Sequence, residues 1–300
     1  MTQLAELLAV PLFQRALLAA LVVGVSAPIV GTYLVQRRLS LLGDGIGHVA
    51  LTGVAMGWLV GAATNATDTD AYAIPGAMVA AIAGAVIIEI VRSRGNTSGD
   101  LALALLFYGG IAGGVMLIGL AGGTNANLMS YLFGSLATVS QADLVATMVM
   151  SVLIAAIGLG LRSALFAVSA NSEFARSTGL PVAALNIGIA VVAALTVTVA
   201  MRVVGLLLVS ALMIVPVAAS QLLARSFRQT MSLAMVIGAV SCVGGLLITF
   251  TAPLPPGSVI VVIAITIYAG VAAFTAARNR LQASQPIDRS AGKAPITPGK

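Results

Sequence analysis

Asp44 and His48 stand four residues apart in the stretch Arg37-Arg38-Leu39-Ser40-Leu41-Leu42-Gly43-Asp44-Gly45-Ile46-Gly47-His48. On a helix this spacing puts a carboxylate and an imidazole on one face, one turn apart, where both can reach a single divalent ion. His48 is the only histidine in the chain, and Gly43, Gly45 and Gly47 let another helix or an ion approach the backbone closely. An alternative assignment makes Asp44 a helix N-cap and His48 a side chain bonded to a neighbouring helix. Two ligands are too few for a zinc-type site, which takes four. Two copies of the chain meeting at a symmetry axis would supply two Asp and two His.

The second informative stretch is Asn171-Ser172-Glu173-Phe174-Ala175-Arg176-Ser177-Thr178-Gly179-Leu180-Pro181, a polar insert between apolar runs. Asn171 or Ser172 can cap a short helix, Gly179 can end it, and Pro181 can start the next. It is either a connecting turn or a docking helix for a cytoplasmic partner. In the docking assignment Ala175 and Gly179, at i,i+4, leave room for the partner's groove. Elsewhere, Asp100 reads as a helix N-cap, and Glu89 with Arg92 as a local i,i+3 ion pair. Gly109-Gly110, Gly113-Gly114 and Gly244-Gly245 read as small-residue helix-packing surfaces. No Gly-Lys-Ser or Gly-Lys-Thr is present, so the chain carries no nucleotide-hydrolysis loop. No nucleophile–base pair is left once the one histidine is placed beside Asp44. The one cysteine, Cys242, excludes an intrachain disulfide and a cysteine-based metal site within one chain.

The elements that must position these residues are membrane helices. Of 300 residues, 59% are apolar and 8% charged, with mean hydropathy +1.08; soluble chains carry about 25% charged residues. The apolar residues fall in runs of the roughly 20 residues needed to cross about 30 Å of hydrocarbon. Backbone groups in lipid must pair within their own segment, so such runs are helices. The spans fall at about 16–35, 45–63, 74–91, 101–121, 142–161, 183–200, 204–223, 231–251 and 258–277. This is an all-α, polytopic transmembrane bundle of about nine spans, with eight as the alternative count. The division at Met201-Arg202 splits one long apolar stretch, and residues 1–15 read as an interfacial helix or an extension of the first span. The first run lacks a basic n-region and reads as a retained span rather than a signal peptide. Residues 124–140 are too short and polar to span, and read as re-entrant or interfacial.

The formal charge of +6 belongs to topology rather than to nucleic acid. Arg37, Arg38, Arg92, Arg94, Arg162, Arg176, Arg225, Arg228 and the basic tail fall on one side; only Arg15 and Arg202 fall on the other. That side is cytoplasmic. The C-terminus is then inside, and the N-terminus and the acidic loop around Asp68 and Asp70 outside. The division is a transmembrane domain over 1–280 and a Pro-, Ser- and Gly-rich tail over 281–300, too poor in large apolar residues to order itself.

With these motifs in place, the chain resembles the membrane permeases of bacterial zinc/manganese ABC importers, over roughly residues 12–278. The resemblance rests on Arg37 to His48, on Tyr131-Leu132-Phe133-Gly134-Ser135, on Asn171 to Gly179, and on Arg202-Val203-Val204-Gly205-Leu206-Leu207-Leu208-Val209 followed by Pro216. It implies the ABC importer permease fold in the bacterial cytoplasmic membrane. Asp44 and His48 would be the metal site in the translocation path, and Glu173 to Gly179 the cytoplasmic coupling helix. The implied partners are a second copy of the chain, a separate cytoplasmic ATPase dimer and an extracytoplasmic metal-binding protein. The divalent metal, zinc or manganese, would be cargo and not a permanently bound cofactor. Such permeases often carry Ser before the His and Pro four residues after it, where this chain has Gly47 and Thr52; the exchange predicts a looser helix near His48. The rival expectations are a permease for a siderophore or vitamin B12, an ATP-independent transporter, and a membrane scaffold.

Overall fold

The computed structural model describes residues 10–64, 69–94, 99–122, 129, 131–134, 140–201, 204–251 and 254–283. The order along the chain is α1 (Pro11–Gln36), α2 (Leu42–Ala63), a 3-10 turn (Thr69–Tyr72), α3 (Ala73–Ser93), α4 (Gly99–Leu120), α5 (Gln141–Gly160), α6 (Arg162–Ala170), α7 (Ser172–Ser177), α8 (Val182–Ala200), α9 (Leu206–Gln221), α10 (Phe227–Thr251) and α11 (Pro256–Ala283). Eight of these helices are long and apolar enough to cross a bilayer. The ninth expected span is α9, with 16 residues and Pro216 inside it. At 1.5 Å per residue it reaches about 24 Å, below the usual span length, yet it returns the chain to the end where Phe227 meets Tyr33.

Local chemistry sets the boundaries. Pro11 occupies the first turn of α1, where its missing N–H costs nothing. That helix therefore takes up part of the expected interfacial stretch; residues 1–9 lie outside the described residues. The expected break after Met201 is present. α8 ends at Ala200, and Gly205 takes φ +91° before α9 begins. A Cβ at Gly205 would overlap the Phe133–Gly134 backbone, so glycine is required twice over. A capping box between Ser140 and Asp143 opens α5. Within the apolar spans, Thr196, Ser220, Ser241 and Thr249 donate to carbonyls four residues back, which pairs each hydroxyl without a partner helix.

Ring and side-chain contacts tie the two ends of the bundle separately. At one end Phe13 meets Phe250 at 4.2 Å and Arg15 bonds Gln141 at 3.3 Å. At the other, Phe227 meets Tyr33 at 5.5 Å and Phe166 at 4.5 Å. The second end also carries Arg37, Glu89, Arg92 and Arg176, so the arginine-rich face expected from charge bias is one physical face of the bundle. α2 lies at the centre, packed by α3, α4, α8 and α9, while α1 packs on α10, α5 and α9. Backbones cross closely where glycines meet: Gly24 of α1 against Gly238 of α10, and Gly53 and Gly57 of α2 against Gly76 of α3. Of the expected glycine surfaces, Gly110, Gly114 and Gly245 face neighbouring helices, whereas Gly109 faces open space. Tyr131, in the segment expected to be re-entrant, packs edge-on to Trp58 of α2 at 5.6 Å. The tail beyond Ala283, the Asp68 loop, Arg202 and the Asp100 side chain lie outside what is described.

Candidate metal site and coupling elbow

Asp44 lies in the first turn of α2 and His48 one turn on, with Nε2 4.0 Å from Asp44 Oδ1. The residue at the N-cap is Leu41, so Asp44 is not the cap. Two donors on one tetrahedral ion, each at about 2.1 Å, stand about 3.4 Å apart. A small side-chain adjustment therefore brings both onto one metal. The pair sits deep. Val49 packs on Gly84, near the middle of α3, and the His48 backbone packs on Gly110, near the middle of α4. The His48 side chain is 7% exposed and that of Asp44 28%, so the carboxylate is the more accessible of the two.

Residues of two helices, α4 and α9, frame the pair. Phe107 of α4 meets the His48 ring edge-on at 4.5 Å. Leu206 of α9 covers Gly47, and Ser210 of α9 stands beside Gly43 and faces Asp44 without closing a hydrogen bond. Two buried atoms here, His48 Nδ1 and Ser210 Oγ, have no partner among the described residues. Each is free to meet a ligand or a side chain from another subunit. The described residues of one chain contain no cluster of three or more His, Cys, Asp or Glu that could hold a metal. The looser helix expected from Gly47 and Thr52 is not found. α2 is continuous from Leu42 to Ala63, and Thr52 Oγ1 donates to the Gly110 carbonyl at 2.9 Å, which fastens α2 to α4.

The second site is an elbow of α6 and α7. Asn171 Oδ1 accepts from the N–H groups of Glu173 and Phe174, both at 3.0 Å, which caps the six-residue α7. At the other end Gly179 takes φ +81°; its N–H reaches the Arg176 carbonyl, and the Leu180 N–H reaches that of Ala175. This is a Schellman closure, which explains Gly179 without any partner. Glu173 and Gly179 are exposed as expected, but Ala175 is not. It is fully buried and packs with Val168 and Val182, so it holds the elbow to the bundle and cannot face a partner's groove. The outward apolar residue is Phe174, 63% exposed. Spacing could not tell the inward face of so short a helix from the outward one. Phe174, a large apolar residue in a polar insert, was the signal passed over.

Near the elbow, Glu89 Oε2 accepts from Arg92 at 3.0 Å, as the i,i+3 spacing suggests. Glu89 Oε1 also accepts from Arg37 at 3.1 Å, across 52 residues of chain. Burial pushes the Arg37 guanidinium below its ordinary value and Glu89 opposes that shift; it stays a cation.

The family model described as "ABC 3 transport family" matches residues 9–275. The chain belongs to the ABC 3 transport family. It is 28% identical over 264 residues to the manganese transport system membrane protein MntC of Halalkalibacterium halodurans, covering 88% of this chain and 87% of that one. It is 31% identical over 260 residues to the chelated iron transport system membrane protein YfeD of Yersinia pestis, covering 87% and 84%. Among solved structures, a chain of PsaBC from Streptococcus pneumoniae in complex with Fab superposes with TM-score 0.78 at 29% identity, covering 89% of this chain and 95% of that one. This member of the ABC 3 family is thus a multi-pass, all-helical membrane permease of the metal ABC importer type.

Proposed function

We propose that this ABC 3 permease imports a divalent transition metal, with manganese favoured over zinc, across the bacterial cytoplasmic membrane as one half of a homodimer. The observation that carries the reading is the Asp44–His48 pair, 4.0 Å apart, with His48 half-way along the helices that pack on it. An ionisable pair at that depth is costly unless it serves a polar pathway. Carboxylate with water suits manganese, while imidazole suits zinc and other borderline metals; manganese is the substrate named for MntC. Two copies supply four side-chain ligands. A separate ATPase, engaged through Phe174 and Glu173 on α7, drives alternating access to the site, and an extracytoplasmic binding protein delivers the metal. No residue of this chain does bond chemistry.

The test is His48→Gln, which keeps size and hydrogen bonding but is a poor metal ligand. In vesicles reconstituted with the ATPase and the binding protein, manganese uptake should collapse while membrane insertion and ATPase binding persist. Asp44→Asn should match it, and the double variant should be little worse than either, because both disable one site. Uptake at the unmodified rate removes the Asp44–His48 site. The second reading, import of a metal chelate, is favoured by the YfeD relationship. It predicts chelate uptake that His48→Gln leaves intact.

A further inference from the structure

The arginine-bearing ends of α1 and α3, the start of α8 and the α6–α7 elbow enclose a cavity of about 530 Å³, within the size range of small-molecule sites. Its floor is polar and buried. The Arg37 side chain is 8% exposed; its Nη2 bonds Glu89, but its Nη1 has no partner among the described residues. Ser169 Oγ and Asn186 Oδ1, both lining the same cavity, also have none. Buried polar groups are nearly always bonded, so three atoms around one cavity without a protein partner among the described residues mark a surface that water or a polar ligand must satisfy. They supply a guanidinium N–H, a hydroxyl, and a carboxamide that can turn its N–H₂ inward. Glu89 is already neutralised by Arg37 and Arg92, and Arg176 lines the cavity too, against Glu173. Three cations against two anions leave the lining formally positive. The chemistry is that of an oxyanion site.

The lining shows where the anion comes from. Besides residues of the polar α7 it includes the apolar Ile90 and Ile187, and Ile90 is exposed. Ile90 is the last residue of an exposed stripe on α3, Pro75, Val79, Ala83, Ile87 and Ile90, set at steps of four and three so that it forms one outward face. In a membrane helix such a face suits acyl chains. We propose that this cavity binds the phosphate of an anionic phospholipid, with the acyl chains lying along the outward stripe of α3. Basic pockets between helices at the cytoplasmic surface take such headgroups. The elbow's own apolar anchor is the small cluster of Val168, Ala175 and Val182, separate from the main core. A phosphate held by Arg37, Ser169 and Asn186 adds a polar tie between elbow and bundle.

The test uses the full-length chain in neutral detergent, with retained lipid counted by native mass spectrometry. Phosphatidylglycerol and phosphatidylcholine of identical acyl chains are the probes. The unmodified chain should retain phosphatidylglycerol about tenfold more strongly, because both lipids carry the phosphodiester but the fixed positive charge of choline meets a formally positive lining. Arg37→Gln should abolish that preference. Because it also strips Glu89 of a partner, Asn186→Leu and Ser169→Ala, which leave both ion pairs intact, must each reduce the preference independently. An equal preference in the unmodified chain and Asn186→Leu overturns the proposal. Displacement of phosphatidylglycerol by millimolar inorganic phosphate assigns the cavity to a free anion, and exclusion of lipid by the bound ATPase assigns it to that partner. Either result also overturns the lipid assignment.

Discussion

Gly110→Ala tests the geometry beneath the metal pair. An added Cβ would stand 2.7 Å from the His48 carbonyl carbon and 2.8 Å from Val49 N. Ordinary contact begins at about 3.5 Å, so α4 must retreat from α2 by roughly 0.8 Å at this level. The Thr52–Gly110 bond, now 2.9 Å, then stretches past useful length. Overpacking costs about 1–3 kcal/mol and the lost bond about 1 kcal/mol; alanine returns about 1 kcal/mol of helix propensity. The net is a destabilisation of about 1–3 kcal/mol, centred on the backbone that carries His48. Ligand geometry tolerates about 0.5 Å of error, so metal uptake should fall by at least roughly tenfold. Gly188→Ala is the control, because a Cβ on that helical glycine meets nothing within 4 Å and only the propensity gain remains. The assays are thermal unfolding in detergent and manganese uptake in reconstituted vesicles. If Gly110→Ala and Gly188→Ala behave alike in both, the close approach of α4 to His48 is wrong.

Phe174→Ala should weaken association with the ATPase by about ten- to a hundredfold, the worth of burying one aromatic anchor, with insertion unchanged; association measured by co-purification at full strength would remove Phe174 from the interface. Gly179→Asn should be tolerated and Gly179→Val should destabilise the elbow by about 1–2 kcal/mol, because β-branched residues resist φ +81°; protease sensitivity between 170 and 182 reads the difference, and equal sensitivity refutes the cap assignment. Reporters fused at Arg94 and Arg280 should read cytoplasmic and one at Asp68 external; an external reading at Arg280 would reverse the orientation of α11.

What sequence could say followed the range of each interaction. Glu89 and Arg92 are three residues apart, so their pairing was legible; Arg37, 52 residues from Glu89, joins them only because α1 and α3 end on the same face. Asp44 and His48 were legible for the same reason, while Phe107, Gly110 and Ser210, which frame them, come from other helices. The break at Gly205 could be read from length, since one apolar stretch was twice what a span needs. The short α6 could not, because it follows α5 across a single residue and its nine residues are too few to stand out as a helix beyond the span that ends at 161. Ala175 was assigned the wrong face because a six-residue helix has too few turns to show a periodic pattern.

The place of Asp44 in the first turn of α2 has a consequence for turnover. Unsatisfied N–H groups give a helix start about half a positive charge. α9 also begins nearby, with Leu206 against Gly47. Two such helix starts near one carboxylate offset part of its charge as a cation experiences it. On the proposed reading, metal held there is opposed electrostatically as well as attracted, and the opposition is fixed in the backbone. A pathway that must let go of each ion before accepting another gains from that balance: dwell time is shortened without removing either ligand.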